Sequence, residues 1–246
     1  MTFKDHFTKQ AAVYAKFRPD YPDELFKFLA SVSPSNELAW DCATGSGQAA
    51  NGLAKYFNKV IASDASENQV LNAYKNEKII YKVFPAEKAD IESSTIDLIT
   101  VAQALHWFNF ENFYTEVRRV LKRGGIIAVW MYGLIKISPE LDVITNRFDN
   151  ETLKKYWPPE RQFFYEEYRT IPFPFELVET PEFGISADWT LENLMGFLST
   201  WSAVQKFKER ENSDPVDLIR NDLQKAWGEE KTRKAKWDLI LKVGKV

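Results

Sequence analysis

Apolar positions change rhythm along the chain. Leu25, Phe28, Leu29 and Val32 fall on one face of a helix that Pro34 closes. Upstream, residues 5–17 also read as a helix, which stops at Arg18-Pro19-Asp20-Tyr21-Pro22, where two prolines enforce extended backbone. Short apolar runs then alternate with amphipathic stretches. Strands are expected at 38–40, 59–63, 79–84, 97–102 and 126–130, and helices at 48–57 and 67–74. A further helix carries Phe110, Phe113, Val117, Val120 and Leu121 on one face and is expected to end at Gly124-Gly125.

This alternation predicts an α/β fold. The expected form is a Rossmann-like, seven-stranded, mostly parallel sheet with helices on both faces. After Tyr132 the rhythm breaks. Residues 133–170 are aromatic and charged and read as a cap inserted after the fifth strand. A returning strand is expected at 175–178, a helix at 190–201 with Thr190 as N-cap, a helix from Asp214-Pro215, and a late core strand at 237–243. Residues 1–246 then form one domain, with residues 1–35 as an N-terminal helical lid.

Composition narrows the class. A net charge of -3 gives no basic footprint, so no nucleic-acid partner is expected. The apolar run 126–135 is too short to span a bilayer, and no membrane association is expected. One cysteine, Cys42, allows no intrachain disulfide and makes no metal site. With no apolar leader pattern near Met1, a cytoplasmic location is the expectation. Eight tryptophans supply large buried rings and are suited to lining a small-molecule pocket.

The candidate chemistry lies at strand ends. Ligands of doubly wound sheets bind beyond the carboxyl ends of the strands. The first strand runs into Asp41-Cys42-Ala43-Thr44-Gly45-Ser46-Gly47, whose glycines permit positive φ and close backbone approach. The next helix presents N-terminal amides suited to a carboxylate. Asp64 ends the second strand, where a carboxylate can hold a ribose. Gly45-x-Gly47-x-x-Ala50 also fits the dinucleotide fingerprint, so an NAD(P)-dependent oxidoreductase is one reading. Two features weigh against it. Asp41 would sit badly beside a pyrophosphate, and the chain has a single α/β unit where a dinucleotide needs two halves. A non-catalytic binding protein of the same fold is the other alternative.

The chain resembles the class I S-adenosylmethionine-dependent methyltransferases, in particular the small-molecule branch that includes trans-aconitate methyltransferase-like proteins. The resemblance rests on the loop at 41–48, on Ser63-Asp64-Ala65-Ser66, Pro85-Ala86-Glu87 and Gln103-Ala104-Leu105-His106-Trp107-Phe108, and on Arg119-Val120-Leu121-Lys122-Arg123-Gly124-Gly125. Phe7-x-x-Gln10-Ala11-x-x-Tyr14-x-x-x-Arg18-Pro19-x-Tyr21-Pro22 and Thr200-Trp201-Ser202-Ala203 extend it. It covers all but roughly residues 133–170.

The resemblance implies S-adenosylmethionine as cofactor and a small-molecule acceptor. Asp41 would bind or orient the amino end of the methionine, with Ala43, Gly45 and Gly47 giving backbone approach. Asp64 would hold the ribose, Ala65 the adenine face, and Ala86 and Glu87 the adenine edge. Gln103 would lie near the methionine portion. Tyr14 and Arg18 would close over the cofactor, Arg18 toward its carboxylate. His106 is the candidate base. Arg147, Arg161 and Arg169 in the cap could bind an acceptor carboxylate.

Overall fold

The computed structural model describes residues 17–246. Its first full helix is α1 (Asp23–Val32), followed by β1 (Leu38–Cys42), α2 (Gln48–Leu53), β2 (Lys59–Asp64), α3 (Glu67–Leu71) and β3 (Ile79–Val83). Next come β4 (Ile96–Ala102), α4 (Phe110–Val120) and β5 (Leu121–Tyr132). Then α5 (Pro139–Arg147), α6 (Arg161–Tyr165), β6 (Glu176–Leu177) and β7 (Phe183–Trp189) lead to α7 (Leu191–Ser199), α8 (Ser202–Glu211), α9 (Pro215–Trp227) and β8 (Arg233–Lys245).

The strands form one twisted sheet in the order β3-β2-β1-β4-β5-β8-β7, with the two-residue β6 also paired to β8. The first five strands of this order are parallel, and β8 is antiparallel to its neighbours. Successive residues of a strand face opposite sides. Ala39, Val60, Leu98 and Ala128 point into one core, packed by α1, α2, α7 and α9. Their neighbours Trp40, Ile61, Ile99 and Val129 point into the other, packed by α4. Both faces are dry, which is why these strands read as continuous apolar runs.

The expected sheet is present, with local corrections. The helix before β5 ends at Val120, and Gly124-Gly125 belong to β5. There the chain end takes up their backbone groups: the Gly124 amide donates to the Val246 carbonyl at 2.7 Å, and the Val246 amide donates to that of Gly125 at 3.0 Å. The strand Phe183–Trp189 and the helix Ser202–Glu211 are additions. β8 begins at Arg233 because its first half pairs β7 while its second half pairs β5. Thr190 caps α7 through a capping box with Asn193, and Asp214 caps α9 ahead of Pro215, as the sequence predicts. Among the described residues, no helix is long and apolar enough to cross a membrane.

Candidate active site

The carboxyl ends of β1, β2, β4 and β5 open on a cavity of about 1070 Å³. The β1 loop forms its floor. Ala43 has φ 53°, Gly45 φ 55° and Gly47 φ 82°. Space beyond the Gly45 α-carbon is open, whereas a β-carbon on Gly47 would clash with the Tyr81 hydroxyl. Gly45 therefore lets a ligand approach the backbone, and Gly47 turns the chain into α2.

Two carboxylates set this loop. Asp41 is fully buried and does not line the cavity. It accepts from Thr44 Oγ1 at 2.5 Å, Thr100 Oγ1 at 2.8 Å and the Ala50 amide at 3.1 Å. Asp41 thus ties β1 to β4 and occupies an amide of α2 that the sequence reading left for a ligand. Burial pushes its carboxyl up to about 6, against the pull of these hydrogen bonds. Asp41 therefore orders the loop from beneath the cavity floor. Asp64 does reach the cavity. It accepts the Gly45 amide and the Ser66 amide, each at 2.9 Å. A carboxylate has about four acceptor sites, so these bonds are compatible with a ribose there.

Ala65, Ala86, Glu87 and Gln103 line the same cavity. Glu87 Oε1 accepts the Asn109 amide at 2.8 Å, which braces the loop after β4. Gln103 has φ 59°, and its buried Nε2 has no hydrogen-bond partner among the described residues. An orphaned buried donor costs stability, and a strained backbone persists where the surroundings enforce it. Both observations fit a polar ligand group at Gln103. Gly47 lies behind the cavity wall, and Tyr14 lies outside the described residues.

A side chamber of about 100 Å³ adjoins this cavity and shares Gln103, Trp107, Tyr132, Trp157 and Pro158 with it. Arg18 lines this chamber and is not among the residues lining the larger cavity. Its Nη1 donates to the Tyr132 hydroxyl at 2.7 Å, and its guanidinium lies 5.1 Å from the Phe197 ring centre. Of the three cap arginines, only Arg161 reaches the chamber. It stacks 3.6 Å from Phe164 and 3.9 Å from Trp157, and its Nη2 donates to Asp149 at 3.0 Å. Its Nε is buried without a partner among the described residues. Arg147 and Arg169 pair on the surface with Asp222 and Glu167.

His106 also lines the chamber. Burial, aided by the positive charge of Arg161, pushes its imidazole down to about 3. An efficient base has a pKa near the working pH, so His106 is poorly suited to proton abstraction. Burial pushes the Cys42 thiol up, consistent with a packing role. Among the described residues no cluster of His, Cys, Asp and Glu is arranged to hold a metal. Sequence reasoning gave no role to Asp149, Tyr132 or Trp201. Tyr132 was accessible through the strand-end rule, since it closes β5.

Comparison with known proteins gives a consistent result. Residues 40–129 match the methyltransferase domain family. Over 229 residues the chain is 38% identical to a Dictyostelium discoideum protein provisionally named a methyltransferase, covering 92% of this chain and 87% of that one. It is 30% identical over 143 residues to a Saccharomyces cerevisiae protein named as a probable S-adenosylmethionine-dependent methyltransferase, covering 53% of this chain and 47% of that one. A solved structure from Anaeromyxobacter dehalogenans, provisionally named a type II methyltransferase, superposes with a TM-score of 0.86 at 39% identity, covering 93% and 98% of the two chains.

Proposed function

Because the chain belongs to the class I S-adenosylmethionine-dependent methyltransferases, we propose that it methylates a small carboxylic acid on a carboxylate oxygen. S-adenosylmethionine is the methyl donor, and the NAD(P)-dependent and non-catalytic alternatives are not favoured. The larger cavity takes the donor. Asp64 holds the ribose, Gly45 lies against the ligand, Ala65, Ala86 and Glu87 face the adenine, and Gln103 meets the methionine end.

The acceptor reading is carried by the side chamber. Two guanidiniums, Arg18 and Arg161, and the Gln103 amide border one aromatic pocket beside the donor cavity. Guanidinium suits a carboxylate geometrically and electrostatically. A cavity of about 150 Å³ accommodates benzene, so a chamber of about 100 Å³ suits a compact acid group. The resemblance to the trans-aconitate-like branch points the same way. Residues 133–170 act as the cap that supplies Arg161, and residues 1–35 act as the lid that supplies Arg18, within one domain spanning 1–246.

The donor supplies a methyl group on a positively charged sulfur, and the leaving pair of electrons stays on that sulfur. The acceptor oxygen forms the new O–C bond, and its negative charge is neutralised, so no proton has to move. The protein then needs to hold the oxygen in line and exclude water, a contribution that can reach roughly 7–11 kcal/mol. A neutral His106 is compatible with this chemistry. Incubation with S-adenosylmethionine and a panel of small acids, followed by mass spectrometry, tests the reading. Alkali-labile methyl esters are expected. Methylation confined to amines or alcohols would overturn it.

A further inference from the structure

His106 has two ring nitrogens with different surroundings. Nδ1 lies 2.6 Å from the hydroxyl of Tyr168. Nε2 has no protein partner among the described residues, and the histidine lines the side chamber.

Tyr168 is held with unusual firmness. It is 1% exposed and has φ 57°, directly after Glu167 at φ 53°. Two consecutive left-handed residues that are not glycine cost free energy. Lys242 Nζ fixes this turn by donating to the Tyr168 carbonyl at 2.6 Å. The strain has one evident result, which is to place the phenol on His106.

The direction of that hydrogen bond follows from satisfaction of donors. Burial pushes the Tyr168 phenol pKa far up, so the hydroxyl keeps its proton. The hydroxyl has no other acceptor among the described residues. If Nδ1 carried hydrogen and donated, the phenol hydrogen would be buried without a partner, which is costly. The hydroxyl therefore donates to Nδ1, and the ring proton resides on Nε2.

We propose that Tyr168 is a positioning residue that locks His106 as the neutral Nε2–H tautomer, so that His106 offers a hydrogen-bond donor to an anionic acceptor oxygen in the side chamber. The His106 N–H then joins two guanidiniums and the Gln103 amide as donors on the chamber wall, beside the Tyr132 and Ser202 hydroxyls. The guanidiniums and the His106 N–H favour an oxygen with lone pairs over an ammonium group. The acid as occupant rests on the function proposed above, whereas the tautomer does not.

The test is nitrogen NMR of the full chain with labelled histidine, recorded with S-adenosylhomocysteine and without acceptor. The sequence has two histidines, and His106→Gln assigns the signals. The expected spectrum shows His106 protonated at Nε2, bare at Nδ1, and unchanged from pH 5 to 8. A proton on Nδ1, or a midpoint within that range, overturns the proposal. This result needs no variant at Tyr168 and no knowledge of the acceptor. Tyr168→Phe should then give a tautomer mixture. It should also raise KM for the acid about ten-fold, as loss of one oriented donor implies, with kcat nearly unchanged. An unaltered tautomer in folded Tyr168→Phe also overturns it.

Discussion

The guanidinium of Arg161 donates to the fully buried carboxylate of Asp149 at 3.0 Å, inside a cage of aromatic rings. Asp149 also accepts from the Tyr165 hydroxyl at 2.8 Å. The pair is what allows a positive charge to stand in an apolar wall. Removing one partner of a buried pair leaves a charge unpaired, at a cost of about 3–5 kcal/mol. Asp149→Ala should lower urea-unfolding stability by an amount in that range. Replacing both, as Asp149→Leu with Arg161→Met, should restore most of it while leaving acid turnover lost. A mild loss in the single variant would show that the pair is solvated.

The arginines should separate by place. Arg147 and Arg169 form exposed ion pairs, which contribute about 0–1 kcal/mol. Arg147→Met and Arg169→Met should leave steady-state kinetics almost unchanged. Arg18→Met should raise KM for the acceptor by about 10- to 100-fold, corresponding to a charged hydrogen bond of about 1.5–3 kcal/mol, without changing S-adenosylhomocysteine affinity by calorimetry. If the affinity for S-adenosylhomocysteine falls instead, Arg18 serves the donor.

Asp41 gives a pH signature. Its carboxyl is raised from 3.8 to about 6 in the folded chain. A raised acid makes its full favourable contribution below pH 3.8, where both states are protonated, and that contribution is lost as pH rises through about 6. Above that pH the buried charge costs stability, on the order of 1–3 kcal/mol. Asparagine keeps a carbonyl for Thr44 and the Ala50 amide and offers its amide to Thr100. The stability of Asp41→Asn relative to the parent should therefore rise between about pH 4 and pH 7 in thermal or urea unfolding. A pH-independent difference would contradict the raised value.

Asp64 couples loop and ligand. It fixes the Gly45 and Ser66 amides and reaches the donor cavity. Asp64→Ala should weaken S-adenosylhomocysteine binding ten-fold or more, about 1.4 kcal/mol or above, by calorimetry. Unchanged affinity would remove Asp64 from the ribose.

These residues differed in how legible they were. The parallel half of the sheet was readable because strands covered on both faces become apolar runs bounded by Gly and Asp. The loop at Gly45 and the acid at Asp64 were readable because strand ends carry ligands. Burial of Asp41 was not: its type suits a ligand contact as well as an internal brace, and its bond to Thr100 comes from a strand 59 residues away. The same holds for the cap. Arg147, Arg161 and Arg169 look alike in sequence, and the buried Asp149 singles out Arg161. α8 escaped notice because Gln205-Lys206 and Lys208-Glu209-Arg210-Glu211 leave few apolar positions to set a period.

Acceptor chemistry is tested most directly by comparing an acid with its own primary amide. The two have nearly the same shape, but only the acid carries a charge that attracts the Arg18 guanidinium. The measurement is kcat/KM for each, read as S-adenosylhomocysteine release, in the parent chain and in Arg18→Met. Methylation at a carboxylate oxygen predicts strong preference for the acid in the parent chain and a smaller preference in the variant. Equal rates for acid and amide, or a preference untouched by the loss of Arg18, would contradict it.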